Sequence, residues 1–308
     1  MPSFIQTRPR VTALLSVITL GSISVYLSKR HLNRSCPLVP ISQLPKSSAC
    51  RNLFEAGEPA TQTPMGTDKS VLLSTWPSGD KKTHWVPSFV ALQVDIPISQ
   101  LEKYSARDKD ETDSWPLMRN LVAAFLDARG LGPDSWLIDG NVPPLSFTPG
   151  SLLFGKGKSL GAFMLGAWSS TRGTPLEPLA VPLEGGLPVS EFPSNRDVIS
   201  TPASDEDTDA AGAVIYWKAP NGLIKKVDKA ASHGVPWRLM EGGFQEFIVE
   251  RGTNDTARVT YVTIECTNLH PGGEPGRDFK MLPRVLYELH VLYAQILLFR
   301  TLWRLGGG

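Results

Sequence analysis

At 308 residues, with 41% hydrophobic and 20% charged side chains, the chain has the balance of a globular protein with enough apolar material for a sizeable core. Lys+Arg 31 against Asp+Glu 30 leaves a net charge of +1, which excludes the electrostatic footprint of a nucleic-acid-binding protein. Three cysteines, Cys36, Cys50 and Cys266, are too few for a disulfide framework, and none stands at CxxC spacing for zinc. A Cys36–Cys50 pair is open to a luminal chain; three free thiols are the simpler expectation.

The run Val11 to Leu27 (VTALLSVITLGSISVYL) is uncharged and mostly apolar, with Arg8 and Arg10 before it and Lys29, Arg30 and Arg34 after it. It falls at the short end of the roughly 17–25 residues that cross a bilayer as a helix. Residues 1–30 are therefore expected to form a single-pass membrane anchor. A cleaved signal peptide, with Ser22 and Ser24 near the cleavage point, is the competing reading. Similar positive charge on both flanks leaves the orientation open. The sequons at Asn33 and Asn254 carry glycans only on a luminal chain. Residues 31–70, rich in Pro, Ser, Thr and Gly without hydrophobic periodicity, read as a tether or an extended wrap over the domain.

Residues 71–308 read as one α+β domain. Ser88 to Ile98 alternates as a strand ended at Pro97. The charged loop Arg107 to Asp113 follows. Ser114 caps a helix that buries Leu117, Leu121, Ala124, Phe125 and Ala128 and closes at Gly130. Leu145 to Phe154 and Ala162 to Trp168 are short strands. Between them Gly155-Lys-Gly-Lys-Ser159 lacks the spacing of a phosphate loop and fits a hairpin turn. A Pro- and Gly-rich insertion spans residues 169–211; its acidic stretch Asp205 to Asp209 lacks calcium-loop spacing and reads as solvated. Then come a strand at Ala213 to Lys218, a hairpin of Phe244 to Glu250 and Ala257 to Thr267, and a long apolar helix from Asp278 to Leu305. Glu288 and His290 would be costly in lipid, so burial against a sheet is the expectation for that helix.

The motifs of common enzymes are missing: there is no GxGxxG, GxSxG or HExxH, and the five histidines lack ligand spacing. Two readings of the hairpin compete. In one, Phe244, Glu246 and Ile248 line a cavity with Val259, Tyr261 and Thr263, so that Glu246 and Tyr261 form a hydrogen-bonding or acid/base pair. In the other, the more uniformly apolar Phe247, Val249, Val262 and Ile264 point inward and the glutamates are solvated. The segment His233 to Gly243, with His233 and Trp237, and the pair His84-Trp85 are further candidates, each equally open to a buried structural role. Trp217 and Phe244 add aromatic surface to a ligand site.

The element order, carried by the late strands Phe244 to Glu250 and Ala257 to Thr267 and by the helix beginning Leu282-Pro-Arg-Val-Leu-Tyr-Glu-Leu-His290, resembles the helix-grip fold of the START/polyketide-cyclase-like superfamily. That resemblance implies a curved antiparallel sheet around a long C-terminal helix, with an apolar cavity between them. More loosely, the architecture resembles membrane-anchored, cofactor-free cyclases and pericyclases of fungal natural-product pathways. It implies an enzyme without cofactor or metal that cyclises or isomerises a hydrophobic terpenoid or polyketide intermediate. It also implies residence in the endoplasmic reticulum membrane, beside the membrane-bound oxidases of the same pathway. Glu246, Tyr261 and His233 are the expected catalytic residues; Trp237, Phe244, Trp217 and His84 are the expected ligand contacts. A membrane-tethered lipid-binding or transfer module and a non-catalytic scaffold are the alternatives.

Overall fold

Two of the expected strands, joined by a hairpin, form the centre of the molecule, and four more extend them into one antiparallel sheet. The structure, a computed structural model, describes residues 26–56, 85–104, 114–130, 145, 147, 151–155, 161–170, 209–219, 221–235, 242–268 and 284–306. Helix α1 covers residues 26–35 and helix α2 Ala49–Ala56. Strand β1 (Trp85–Pro97) leads into α3 (Ile98–Tyr104) and α4 (Ser114–Gly130). Strands β2 (Leu152–Gly155), β3 (Gly161–Ser169) and β4 (Ala210–Lys218) follow, then α5 (Asn221–Ser232), β5 (Gly242–Arg251), β6 (Thr256–Asn268) and α6 (Arg284–Leu305). The strands lie in the order β1-β6-β5-β4-β3-β2, every neighbouring pair antiparallel.

Local chemistry accounts for most of these boundaries. Pro97 is the last residue of β1, as its missing amide donor predicts. Strands β2 and β3 pair through Gly155 and Gly161, the hairpin expected around Gly155 to Ser159. The 169–211 insertion leaves and returns at one point, since Ser169 pairs with Ala211. Between β5 and β6 the chain turns at Asn254 (φ 62) and Asp255 (φ 55), the two residue types besides Gly that best tolerate left-handed backbone. Helices α3 and α5 were not expected. The first has seven residues, and the second is mostly exposed, with three lysines and Gly222 diluting its apolar pattern.

One sheet face carries α4 and α6. Helix α4 lies across β4 and β5, while α6 packs on α4 and on β1. The expected α4 stripe is buried, and Met118 and Val122 are buried with it because α6 covers its outer side. Phe125 meets Phe247 (4.5 Å between ring centroids) and Tyr261 (5.4 Å), giving the core an aromatic centre. On α6, Val291, Ala294, Leu297, Leu298 and Leu305 are buried, whereas Leu286, Leu289 and Trp303 are exposed. The helix is thus buried along one stripe and not on every side.

The N-terminal segment closes the other face. After α1, Val39 N donates to Ala91 O (2.9 Å) and Gln93 N donates to Pro37 O (3.2 Å), so the segment pairs with the edge of β1. It then crosses to the second face, where Ile41, Leu44, Ala49 and Cys50 pack on Phe163, Leu165, Trp168, Val214, Phe244, Ile248, Val262 and Ile264. Complete burial of a side chain such as Leu44 contributes about 1.5–3 kcal/mol. Of the expected 31–70 tether, residues 36–56 are therefore a wrap and part of the core. Residues 57–84 lie outside the described residues.

Cys36 is buried in the helix-side core and Cys50 in the opposite one, so the sheet separates the two thiols of the luminal pairing. Of the expected anchor over residues 1–30, residues 1–25 lie outside the described residues, and residues 26–30 fall in α1. Among the described residues no helix is long and apolar enough to cross a membrane.

Candidate functional site

Strand register decides which side chains meet. Glu246 pairs with Val262, and Phe247 pairs with Tyr261. Gln245, Phe247 and Val249 therefore share the helix-covered face with Val259, Tyr261, Thr263 and Glu265, while Phe244, Glu246 and Ile248 share the other face with Thr260, Val262 and Ile264. Each sequence-based set mixed the two faces, and the expected Glu246–Tyr261 pair does not exist.

Glu246 is also not solvated. Completely buried, its carboxylate accepts from Ser48 Oγ (2.6 Å), Ala49 N (2.9 Å), Cys50 N (2.9 Å) and Trp168 Nε1 (2.7 Å). Two of these donors are the first amides of α2, which have no partner within their own helix. A carboxylate there completes the helix terminus and complements its dipole. The indole reaches it because Gly212 lies opposite Trp168; a Cβ on Gly212 would come within 2.4 Å of the ring. Glu246 is thus fully occupied in holding the N-terminal wrap to the sheet.

The polar groups that face the helices gather at one end of the sheet. Trp217, Gly243, Glu265 and Ser88 form one row across β4, β5, β6 and β1; Ile215, Gln245, Thr263 and Val90 form the next. Gly243 is required there, since a Cβ would fall 1.9 Å from the Ile264 carbonyl oxygen and 3.1 Å from Trp217 Nε1. Above this row α6 brings His290, whose Nδ1 approaches Glu265 Oε1 to 2.6 Å, off the line of an ideal hydrogen bond. The Glu265 side chain is 7% exposed and that of His290 19%. His290 Nε2 and Gln245 Oε1 are buried and have no hydrogen-bond partner among the described residues. A buried polar atom without a partner costs about 1–3 kcal/mol, so both atoms mark places where a further group would be stabilising.

Phenols complete the cluster. Tyr287 donates to Phe89 O (3.3 Å), and burial, followed by the carboxylates of Glu265 and Glu288, raises its pKa. Burial likewise keeps the Tyr261 hydroxyl protonated well beyond neutral pH, against the opposing pull of nearby Arg129. The site therefore holds an imidazole–carboxylate pair, protonated phenols and an indole next to the Phe125–Phe247–Tyr261 cluster. That set can move a proton and can donate hydrogen bonds to an oxygen on an otherwise apolar molecule.

Of the residues expected from sequence, Tyr261 and the half-buried Trp217 lie on this face. Phe244 lies on the opposite face against Tyr216, with 5.7 Å between ring centroids. His233 is exposed just beyond α5; His84 and Trp237 lie outside the described residues. Asn33 is exposed, its Oδ1 accepting from Gln295 Nε2 (2.9 Å), and Asn254 is exposed in the hairpin turn. No group of His, Cys, Asp and Glu among the described residues could hold a metal ion. Sequence reading placed Thr263 beside Tyr261 on a cavity face but did not select His290, Glu265 or Gln245. Their signal was present in β6, where Tyr261, Thr263 and Glu265 place polar atoms at every second position, and in α6, where His290 interrupts an apolar helix. Comparison of the chain with known protein families, with curated proteins and with solved structures gave no match.

Proposed function

We propose that the protein is a membrane-held, cofactor-independent cyclase or isomerase that binds a hydrophobic terpenoid or polyketide intermediate between the sheet and the C-terminal helix. In this reading the fold is helix-grip-like, which the single antiparallel sheet with α4 and α6 on one face supports. The observation that carries the proposal is the buried His290–Glu265 pair beside Trp217 and Gln245. Glu265 orients the imidazole, and His290 Nε2 takes a proton from the substrate or returns one. Tyr261, held protonated, donates a hydrogen bond to developing negative charge on a substrate oxygen. Such catalysis draws mainly on positioning, so no metal or cofactor chemistry is invoked. The endoplasmic reticulum membrane, with oxidases that release lipophilic intermediates nearby, is the proposed setting.

The test is a metabolite profile of cells lacking the gene, complemented by the native chain or by His290→Ala or Glu265→Gln. Accumulation of an isomeric precursor, relieved by the native chain and at least a hundredfold less by either variant, is expected for a general acid–base pair. An unchanged profile in the deletion rejects the proposal. The orphaned Gln245 Oε1 supports a second reading, a lipid-binding or transfer module, since recognition alone also uses such an atom. That reading predicts lipid co-purifying with the native chain and lost on Gln245→Leu, with no new product formed.

A further inference from the structure

Large apolar side chains are exposed at nine positions among the described residues, and besides Tyr287 four of them lie where α1 and α6 run side by side. These are Tyr26 (63% exposed) and Leu27 (54%) on α1, with Leu286 (45%) and Leu289 (53%) on α6. Lys29 of α1 pairs with Glu288 of α6 at 2.6 Å, and Asn33 with Gln295, so the two helices run side by side in the same sense. Tyr287, on the next face of α6, is 36% exposed. Leu286 and Leu289, three residues apart, share one helix face.

We infer that this surface, shared by α1 and α6, docks on the bilayer, so that α6 rests on the lipid next to the point where the anchor leaves it. The inference rests on the anchor reading of Val11 to Leu27. If that run spans the hydrocarbon, its last residue lies at the boundary and Lys29 at headgroup depth. The Lys29–Glu288 contact then fixes the depth of α6. Leu286 and Leu289 stand within two residues of Glu288, about 3 Å along the axis, and enter the same interfacial layer. The surroundings have the chemistry of that layer. Tyr26 and Tyr287 supply the amphipathic rings that favour it, and the exposed Arg30 and Arg34, one turn apart on α1, face anionic headgroups. His290 lies two residues beyond Glu288, so the candidate site is also within a few ångströms of the lipid, roughly 3 Å along the helix. Its ligand is therefore a molecule dissolved in the bilayer, entering sideways from the leaflet.

Site-directed quenching tests this on the full chain. Leu286→Cys and Leu289→Cys, with Lys225→Cys on the exposed side of α5 as control, are labelled with nitrobenzoxadiazole. The proteins are then reconstituted into phosphatidylcholine–phosphatidylserine vesicles with or without doxyl-labelled phosphatidylcholine. Cys36 and Cys50 are fully buried, and the unsubstituted chain labelled in parallel gives the blank. Docking predicts that doxyl lipid at least halves the emission at 286 and 289 and spares 225. If the chain floats with the vesicles and all three labels behave alike, docking is wrong and the anchor stands. Emission at 286 or 289 that is blue-shifted and concentration-dependent but unquenched assigns the face to a second copy, which also overturns docking. Failure of the chain to float removes the anchor reading and docking together.

Discussion

Trp168 donates its indole N–H to the Glu246 carboxylate at 2.7 Å, beneath a stretch of N-terminal chain more than a hundred residues away in sequence. The bond joins β3 to β5 and both to the start of α2, so a single carboxylate couples the wrap to the sheet.

Glu246→Gln keeps the size of the side chain but exchanges an acceptor oxygen for a donor NH₂ that faces N–H groups. Hydrogen bonds to a charged group contribute about 1.5–3 kcal/mol, so a loss of about 3 kcal/mol in unfolding free energy is expected. Hydrogen exchange should accelerate in α2 while β5 and β6 remain protected. Uniform acceleration across the molecule would contradict this.

Glycine positions separate by what stands opposite them. Gly212→Ala forces the Trp168 ring away and should cost about 1–3 kcal/mol, with a changed near-ultraviolet circular dichroism spectrum. Gly243→Ala meets backbone and should cost more, because the Ile264 carbonyl cannot rotate aside. At Gly222 nothing lies within 4 Å, and alanine there should stabilise α5 by roughly 0.5 kcal/mol. Thermal midpoints should be highest for Gly222→Ala, lower for Gly212→Ala and lowest for Gly243→Ala.

The alternation in β5 and β6 was readable from sequence, but the pairing was not. With both sheet faces covered, Phe244, Phe247, Ile248 and Val249 are all apolar and buried, so no polar face marks the outside. A register differing by one residue is then equally consistent with the sequence, and Glu246 and Tyr261 were joined across a sheet that separates them. The α4 stripe and the end of α6 were legible because helical periodicity is local. The wrap, the Glu246 cap and the His290–Glu265 contact depend on residues far apart in the chain. No local pattern encodes them.

Alkaline pH should weaken the fold through groups that burial keeps protonated. Cys36 is pushed from an ordinary 9.0 to about 12, and Tyr261 and Tyr287 are raised above their ordinary 10.0. The unfolded chain releases these protons first, so the folded state binds more of them and stability falls as pH rises. The Cys36 contribution is intact below pH 9.0 and is lost as pH climbs towards about 12. Denaturant midpoints measured across that window should decline; a flat profile would refute the assignment.

The turn at Asn254 and Asp255 offers a local check. Replacing Asn254 with Val puts a β-branched residue at φ 62 and should cost about 1–2 kcal/mol, whereas Gly should be tolerated. Equal chemical denaturation curves for the two variants would argue against the left-handed turn.

The wrap also has a mechanical meaning. Residues 36–56 are pinned by β1 backbone bonds at one end and by Glu246 at the other, so they supply little slack between α1 and the sheet. A pull on the N-terminus is transmitted in series to the core instead of being taken up by a loose leash. The standoff between the domain and whatever holds its N-terminus is then set by the fold. Removing the wrap along with the first residues would uncover Phe163, Leu165 and Val214, turning a trimmed chain into one with a sticky second face.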